Sequence, residues 1–264
     1  MIRMKEYKKC IDDSLQLLLT MKHNHILPPR SYFIIYEIIS ACFPLCFGVE
    51  KAARSLYFLM WVFIDSTLMF HCIPVIFLCR ISELSFRDIN LTINTFNSRN
   101  MNVDAMKRVS KRYMKLCNHM KSISRHCGPI LCICQITMMA TIILKHDFIF
   151  NLNTIDTYGL VNCLSESFRG IYAFYLIGEA NESAYKEAKK ATNVLRRVVS
   201  DHSEVLSNEM MNTINTFMIT VNVFDVRIAP FGCYTIKREN VKSAVSYCLA
   251  YIMFVVQVHT FLIK

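Results

Sequence analysis

Glycine and proline are scarce in this chain, with 6 residues of each among 264. Both residues interrupt helices, so their scarcity favours long helices over a β-barrel. The Pro28-Pro29 pair follows a short amphipathic stretch from Ser14 to Met21 and ends it. The composition therefore predicts an all-α chain in which few helices are interrupted.

The motifs of enzymes and metal sites are also missing from the sequence. There is no Gly-rich phosphate loop and no nucleophile elbow, and the Ser and His residues lack the context of a catalytic triad. The 12 cysteines have no Cys/His spacing typical of a metal site, so those within apolar runs are interpreted as small hydrophobes. We therefore predict a protein that is not an enzyme and that has no metal or cofactor.

Long apolar runs are the main positive feature, since hydrophobic residues make up 53% of the chain. Several runs have the length that crosses a bilayer, and basic segments separate them. We predict a polytopic membrane helical bundle in which the whole chain forms a single membrane domain. The five predicted spans are residues 32–48, 56–79, 128–144, 155–178 and 241–263.

The net charge of +10 is distributed unevenly along the chain. Most of the lysines and arginines lie in segments 1–31, 80–127 and 179–240, whereas the other connections are short and carry few. Because cytoplasmic loops accumulate basic residues, we predict a multi-pass plasma membrane protein with a cytoplasmic N-terminus and an extracellular C-terminus. This distribution accounts for the basic charge without a nucleic-acid partner.

Both longer cytoplasmic segments have helical periodicity. The basic stretch Lys107–Lys121 is interpreted as a solvated or lipid-facing helix surface. Residues 179–217 are predicted to form one long helix, because no Gly or Pro interrupts them and an apolar seam follows one face. That seam consists of Leu195, Val199, His202, Leu206 and Met210.

The last predicted span has a second pattern within its apolar run. Small or polar residues recur at steps of three and four, so they share one face of a helix. Such a stripe is typical either of a packing seam between helices or of a wall that lines water, and the stripe alone leaves both alternatives open. Its members are Ser243, Ser246, Ala250, Met253, Gln257 and Thr260.

A more specific motif lies in the same span, where five apolar residues separate Tyr251 from Gln257. This arrangement resembles the last span of the insect gustatory receptor family, in which Thr-Tyr, five apolar residues and Gln-Phe follow one another. Here Ala250 stands for the Thr and Val258 stands for the Phe. Upstream, Gly232, an aromatic residue and a short polar stretch also match the family pattern.

The resemblance implies a seven-span chemosensory receptor, of which this chain matches the third to the seventh span. The first two spans of the family are expected to be missing for one of three reasons: an incomplete gene model, a remnant gene, or a divergent short member of the family. The family implies a ligand-gated cation channel for taste, assembled as a homo- or hetero-tetramer of receptor subunits. Its last span lines the pore, which makes Ala250, Met253, Gln257 and Val258 the candidate pore and gate residues.

A small-molecule tastant is expected to bind in the outer half of the bundle, where aromatic and polar residues occur together. Glu166 and Arg169 are spaced to form a structural ion pair within a span. The candidate ligand-binding residues are Phe47, Tyr57, Trp61, Asp65, Tyr158 and Asn162.

Three alternatives compete with a channel subunit. A truncated receptor remnant would not conduct. A G-protein-coupled receptor would have the opposite orientation and a cytoplasmic tail, and a small transporter would show internal repeats, which this sequence does not have.

Overall fold

The computed structural model describes residues 52–96, 102–151, 157–202, 204 and 206–262. Segment 1–31, the predicted span 32–48 and Phe47 lie outside these ranges. Within them the chain is helical and contains no strand, which confirms the predicted all-α fold. The described helices are α1 (Ala52–Asn94), α2 (Val103–Asn151), α3 (Thr157–His202), α4 (Asn208–Val223) and α5 (Arg238–Leu262), with a 3-10 turn at Pro230–Gly232.

The first three helices extend well beyond the predicted spans that they contain. Helix α1 continues past residue 79, and Arg80 at that boundary is paired with Glu83 on its own helix at 2.8 Å and with Glu179 of α3 at 3.0 Å. Helix α2 likewise runs through Gly128 without a break. Among the residues that the structure describes, no helix combines the length and apolar character needed to cross a membrane.

The core is centred on Tyr113 of α2. Its ring lies between those of Phe86 in α1 and Phe217 in α4, with ring centroids 5.3 Å apart in both pairs. Its hydroxyl donates to the carbonyl oxygen of Ala188 in α3 at 3.3 Å. One side chain of α2 thus contacts three other helices within the predicted cytoplasmic part of the chain.

Helices α1 and α3 have the most extensive interface in the described part of the chain. Buried small residues recur along α3 and allow neighbouring helices to approach closely. Arg80 pairs with Glu179, and further along Asn90 donates to the carbonyl oxygen of Glu187 at 2.8 Å, so the two helices run in the same direction. The buried small residues are Ala180, Ala184, Ala188 and Ala191.

The prediction of one helix over residues 179–217 is wrong, because α3 ends at His202 and α4 begins at Asn208. Ser207 has extended backbone angles, and its side chain accepts a hydrogen bond from the Met210 amide at 3.2 Å. This is an N-cap, which supplies a partner for an otherwise unpaired amide of a helix start. The break lets α4 turn and pack against α2 and α3.

The C-terminal end of α4 is held by Lys189 of α3. Its amine donates to the carbonyl oxygens of Val221 at 2.6 Å, Asn222 at 2.9 Å and Phe224 at 3.3 Å. A cation at this end complements the partial negative charge of the last carbonyls. Burial lowers the pKa of Lys189, and the nearby Asp225 carboxylate acts in the opposite direction.

Candidate functional site

Helix α5 packs against α2 and α3 through one narrow face. Val241, Ala244 and Cys248 are buried there, and Ile252 is half-buried against the same core. At 100° per residue, this face is about half a turn away from the stripe that begins at Ser243. The described part of the chain therefore uses the opposite side of α5 for its own packing.

The stripe itself is exposed wherever its side chains are described. The hydroxyls of Ser243 and Ser246 donate to carbonyl oxygens one turn earlier on α5, at 3.1 and 3.0 Å, and not to another helix. Ala250 and Gln257 are exposed, and Met253 is 59% exposed. No contact within the described chain explains why small and polar residues recur on this face.

The other candidate residues on α5 are also accessible. Tyr251 is 45% exposed and Val258 is 40% exposed, and neither belongs to the packed face. Tyr247, Phe254 and Phe261 are exposed as well. The C-terminal half of α5 therefore exposes apolar side chains in several directions within the described part of the chain.

The start of α5 is fixed by the loop that precedes it, residues 224–237. The Ile236 amide donates to the Ile228 carbonyl oxygen at 3.1 Å, which closes the loop. Asn181 of α3 then contacts both arms, because its Nδ2 donates to the Ile236 oxygen at 2.8 Å and its Oδ1 accepts from the Ile228 amide at 2.9 Å. Asn181 is fully buried, so this amide has its donor and acceptor satisfied away from water.

Helix α2 holds the same loop from the other side. The Ser124 hydroxyl accepts from the Ala229 amide at 2.9 Å and donates to the Ala229 carbonyl oxygen at 3.3 Å. The Tyr234 hydroxyl donates to Oε1 of Gln135 at 2.7 Å. Burial, together with the Cys132 thiol, raises the pKa of Tyr234 to about 12, so the phenol keeps the proton that it donates.

Gly232, part of the family pattern, lies at the exposed tip of this loop. Its φ of 73° is in the left-handed region, which glycine adopts without strain. Phe231 beside it also has a positive φ, of 52°. The glycine therefore serves the tight turn, and an added Cβ would contact nothing within 4 Å.

The first turn of α5 rests on α3. The Glu182 carboxylate accepts from the Arg238 backbone amide at 3.0 Å and pairs with the Arg238 side chain at 3.3 Å. One turn earlier, a Cβ at Gly178 would lie 2.8 Å from the Arg238 nitrogen, so only glycine allows this approach without a shift. The sequence prediction missed Asn181 and Glu182, and the only available signal was their position just beyond a predicted span.

The predicted ligand-binding residues that fall within the described ranges lie on two helices. Tyr57, Trp61 and Asp65 belong to α1, and Tyr158 and Asn162 belong to α3. Because α1 and α3 run in the same direction, with Arg80 level with Glu179, both groups lie toward the same end of the bundle. Their side chains are outside the described part of the structure, as are those of Glu166 and Arg169.

Comparison with protein-family models and with curated proteins finds no match to this chain. The candidate site is therefore defined by the geometry of α5, its anchoring loop and the resemblance of its motif.

Proposed function

We propose that this chain is a subunit of a tastant-gated cation channel of the gustatory receptor type, with α5 as the pore-lining helix. The observation that carries the proposal is the exposed stripe of α5, which lies opposite the face that packs against α2 and α3. A pore-lining helix has to keep one polar or small-residue face free of its own subunit, and the stripe meets that requirement.

In the proposed assembly, four copies place their α5 stripes around a central axis in the plasma membrane. Gln257 would form a ring of four amides near the extracellular end, which can hydrate a passing cation or hydrogen-bond across the axis. Met253 and Ala250 would line the path below it, and Val258 would lie beside the ring. Apolar side chains next to such a ring can close a pore by dewetting.

The buried core around Tyr113 would be the cytoplasmic base of each subunit, consistent with the basic charge of the predicted cytoplasmic segments. The five predicted spans would form the membrane bundle. The common end of α1 and α3 that carries Tyr57, Trp61, Tyr158 and Asn162 would be the outer pocket for a small-molecule tastant.

The proposal is tested by recording cation currents from cells that express the chain, alone and with a full-length receptor subunit, during application of sucrose, fructose and quinine. Gln257→Ala should alter the permeability ratio among cations or the gating, because it removes the amide ring. Tyr251→Leu is the matched control on the same helix, since Tyr251 lies off the stripe and should face a neighbouring helix of the proposed assembly, so that its replacement should mainly affect packing there.

Unchanged currents in Gln257→Ala would contradict the pore assignment. Absence of current in every combination would favour the non-conducting remnant. An epitope tag placed after Lys264 tests the orientation separately. The proposal expects the tag to be stained on intact cells, whereas staining only after permeabilisation would favour a G-protein-coupled receptor.

A further inference from the structure

Three residues on one face of α3 hold the root of α5, defined as residues 238–248. Gly178, Asn181 and Glu182 are spaced by three and one, so they follow one another on the same side of the helix. Gly178 lets the backbone at Arg238 come close, Asn181 bonds both arms of the loop, and Glu182 caps the first turn of α5. These three residues are termed the α3 dock.

Helix α3 also reaches the other end of the bundle without a proline. It runs from Thr157 to His202, whereas α1 contains Pro74 and α2 contains Pro129. The candidate ligand residue Asn162 is 19 positions before Asn181, which corresponds to about 28 Å along one helix. A shift or rotation at the outer end of α3 is thus carried directly to the dock.

We infer that Asn181 is a positioning residue through which α3 moves the root of α5 and sets the gate; this rests on the function proposed above. Beyond the root of α5, Ile252 packs on the core, whereas Met253, Phe254 and Gln257 are exposed, so a displacement of the root would also move Gln257. The Glu182 contact transmits the same displacement to the first turn of the helix.

Asn181 can pass a displacement of α3 to both arms of the loop, because its amide bonds one arm as a donor and the other as an acceptor. If either bond is lost, a polar group stays buried without a partner, which disfavours intermediate positions of the loop. The two arms of the loop, at Ile228 and Ile236, should therefore move together with the α3 dock.

The test uses Asn181→Asp, which keeps an acceptor for the Ile228 amide but removes the donor to the Ile236 oxygen. Asn193→Asp is the matched control, because Asn193 lies on the same helix with an exposed side chain. Hydrogen exchange of the purified full chain is measured over residues 238–248. Single-channel currents of the same variants are recorded in sodium with sucrose, fructose and quinine.

Asn181→Asp should speed exchange at the α5 root by about tenfold or more, and Asn193→Asp should not. The evoked open fraction should fall about tenfold, whereas the unitary conductance should stay at the wild-type value. A purely structural defect would lower the number of channels at the surface instead, which surface biotinylation measures.

Unchanged exchange at the root would overturn the dock whatever the currents show. Faster exchange with an unchanged open fraction would overturn the coupling to the gate. If the wild-type chain stays silent with every partner while exchange responds to Asn181→Asp, the dock stands, and the proposed function and its gating consequence are overturned.

Discussion

The rings of Tyr113 and Phe217 meet nearly edge to face, with centroids 5.3 Å apart and planes at 68°. The same phenol donates to Ala188 at 3.3 Å, so Tyr113 contributes both an aromatic body and a polar tip. These two contributions can be separated, because one substitution removes only the hydroxyl and another removes the ring as well.

Tyr113→Phe should lower the free energy of unfolding by about 1–2 kcal/mol, since it removes the hydroxyl that bonds to Ala188 and to Cys117 but keeps the ring. Tyr113→Ala should lower it by about 3–5 kcal/mol, because it also leaves a cavity between Phe86 and Phe217. Denaturant unfolding of the purified protein, with both variants under the same conditions, measures the difference. Equal losses in the two variants would show that the ring packing contributes little.

Two glycines of α3, Gly170 and Gly178, should respond differently to the same substitution. Alanine favours a helix over glycine by about 1 kcal/mol, so Gly→Ala stabilises where there is room. At Gly178 the new methyl group would lie 2.8 Å from backbone atoms of Lys237 and Arg238. We expect Gly178→Ala to destabilise the protein by about 1–3 kcal/mol despite the helix gain.

Gly170→Ala is the control, because its methyl group meets only the Met138 side chain, which can move aside. Thermal unfolding of both variants should show a clear loss for Gly178→Ala and little change for Gly170→Ala. A similar melting temperature for the two variants would mean that the first turn of α5 shifts away from the added methyl group at little cost in free energy.

Two cysteines should differ strongly in reactivity. Burial raises the pKa of Cys117 to about 12 from 9.0, although a hydrogen bond with Tyr113 and the charge of Lys189 oppose the rise. Because the thiolate is the reactive form, a rise of three units leaves about a thousandfold less of it below either pKa. Cys233 is exposed at the loop tip.

Maleimide labelling of the folded protein at neutral pH, followed by peptide mass spectrometry, should modify Cys233 and leave Cys117 unmodified. Cys117 should react once the protein is unfolded in denaturant. Rapid labelling of Cys117 in the folded protein would show that the core around Tyr113 opens readily.

The helices were predictable from local pattern, whereas their lengths were not. Apolar runs locate α1, α2 and α5, but a bilayer-length rule places a boundary at residue 79, where the helix continues. Arg and Glu are good helix formers, so Arg80 ends the apolar run without ending the helix. Its partner Glu179 lies 99 positions away in the sequence, and local pattern does not reveal that pairing.

The sequence contains a local signal for the break between α3 and α4, but the apolar seam favoured a continuous helix. Ser207 is a good N-cap residue and Glu209 suits a first helical turn, yet the apolar seam across Leu206 and Met210 favoured one helix. Both residues do pack on the core, Leu206 from the connection between the helices and Met210 from the first turn of α4. Periodicity alone cannot distinguish an apolar seam that continues through a turn from the seam of one continuous helix.

The stripe of the candidate site was predictable from the sequence, whereas the residues that hold α5 in place were not. The spacing of the stripe residues between Ser243 and Gln257 is enough to place them on one face of a helix. Asn181 and Glu182 bond loop atoms about 50 positions away, and no helical period carries that information. Their importance follows only from the path of residues 224–237 between α2 and α3.

The closed loop before α5 also determines where the chain tolerates extra length. Its arms are held in register by the bond between Ile236 and Ile228, so residues added outside that bond would shift α5 along its axis. Phe231, Gly232 and Cys233 at the tip are exposed, and a few residues or a fluorophore inserted there would leave both arms in place. The tip is therefore a suitable position for a label that reports on the protein without disturbing α5.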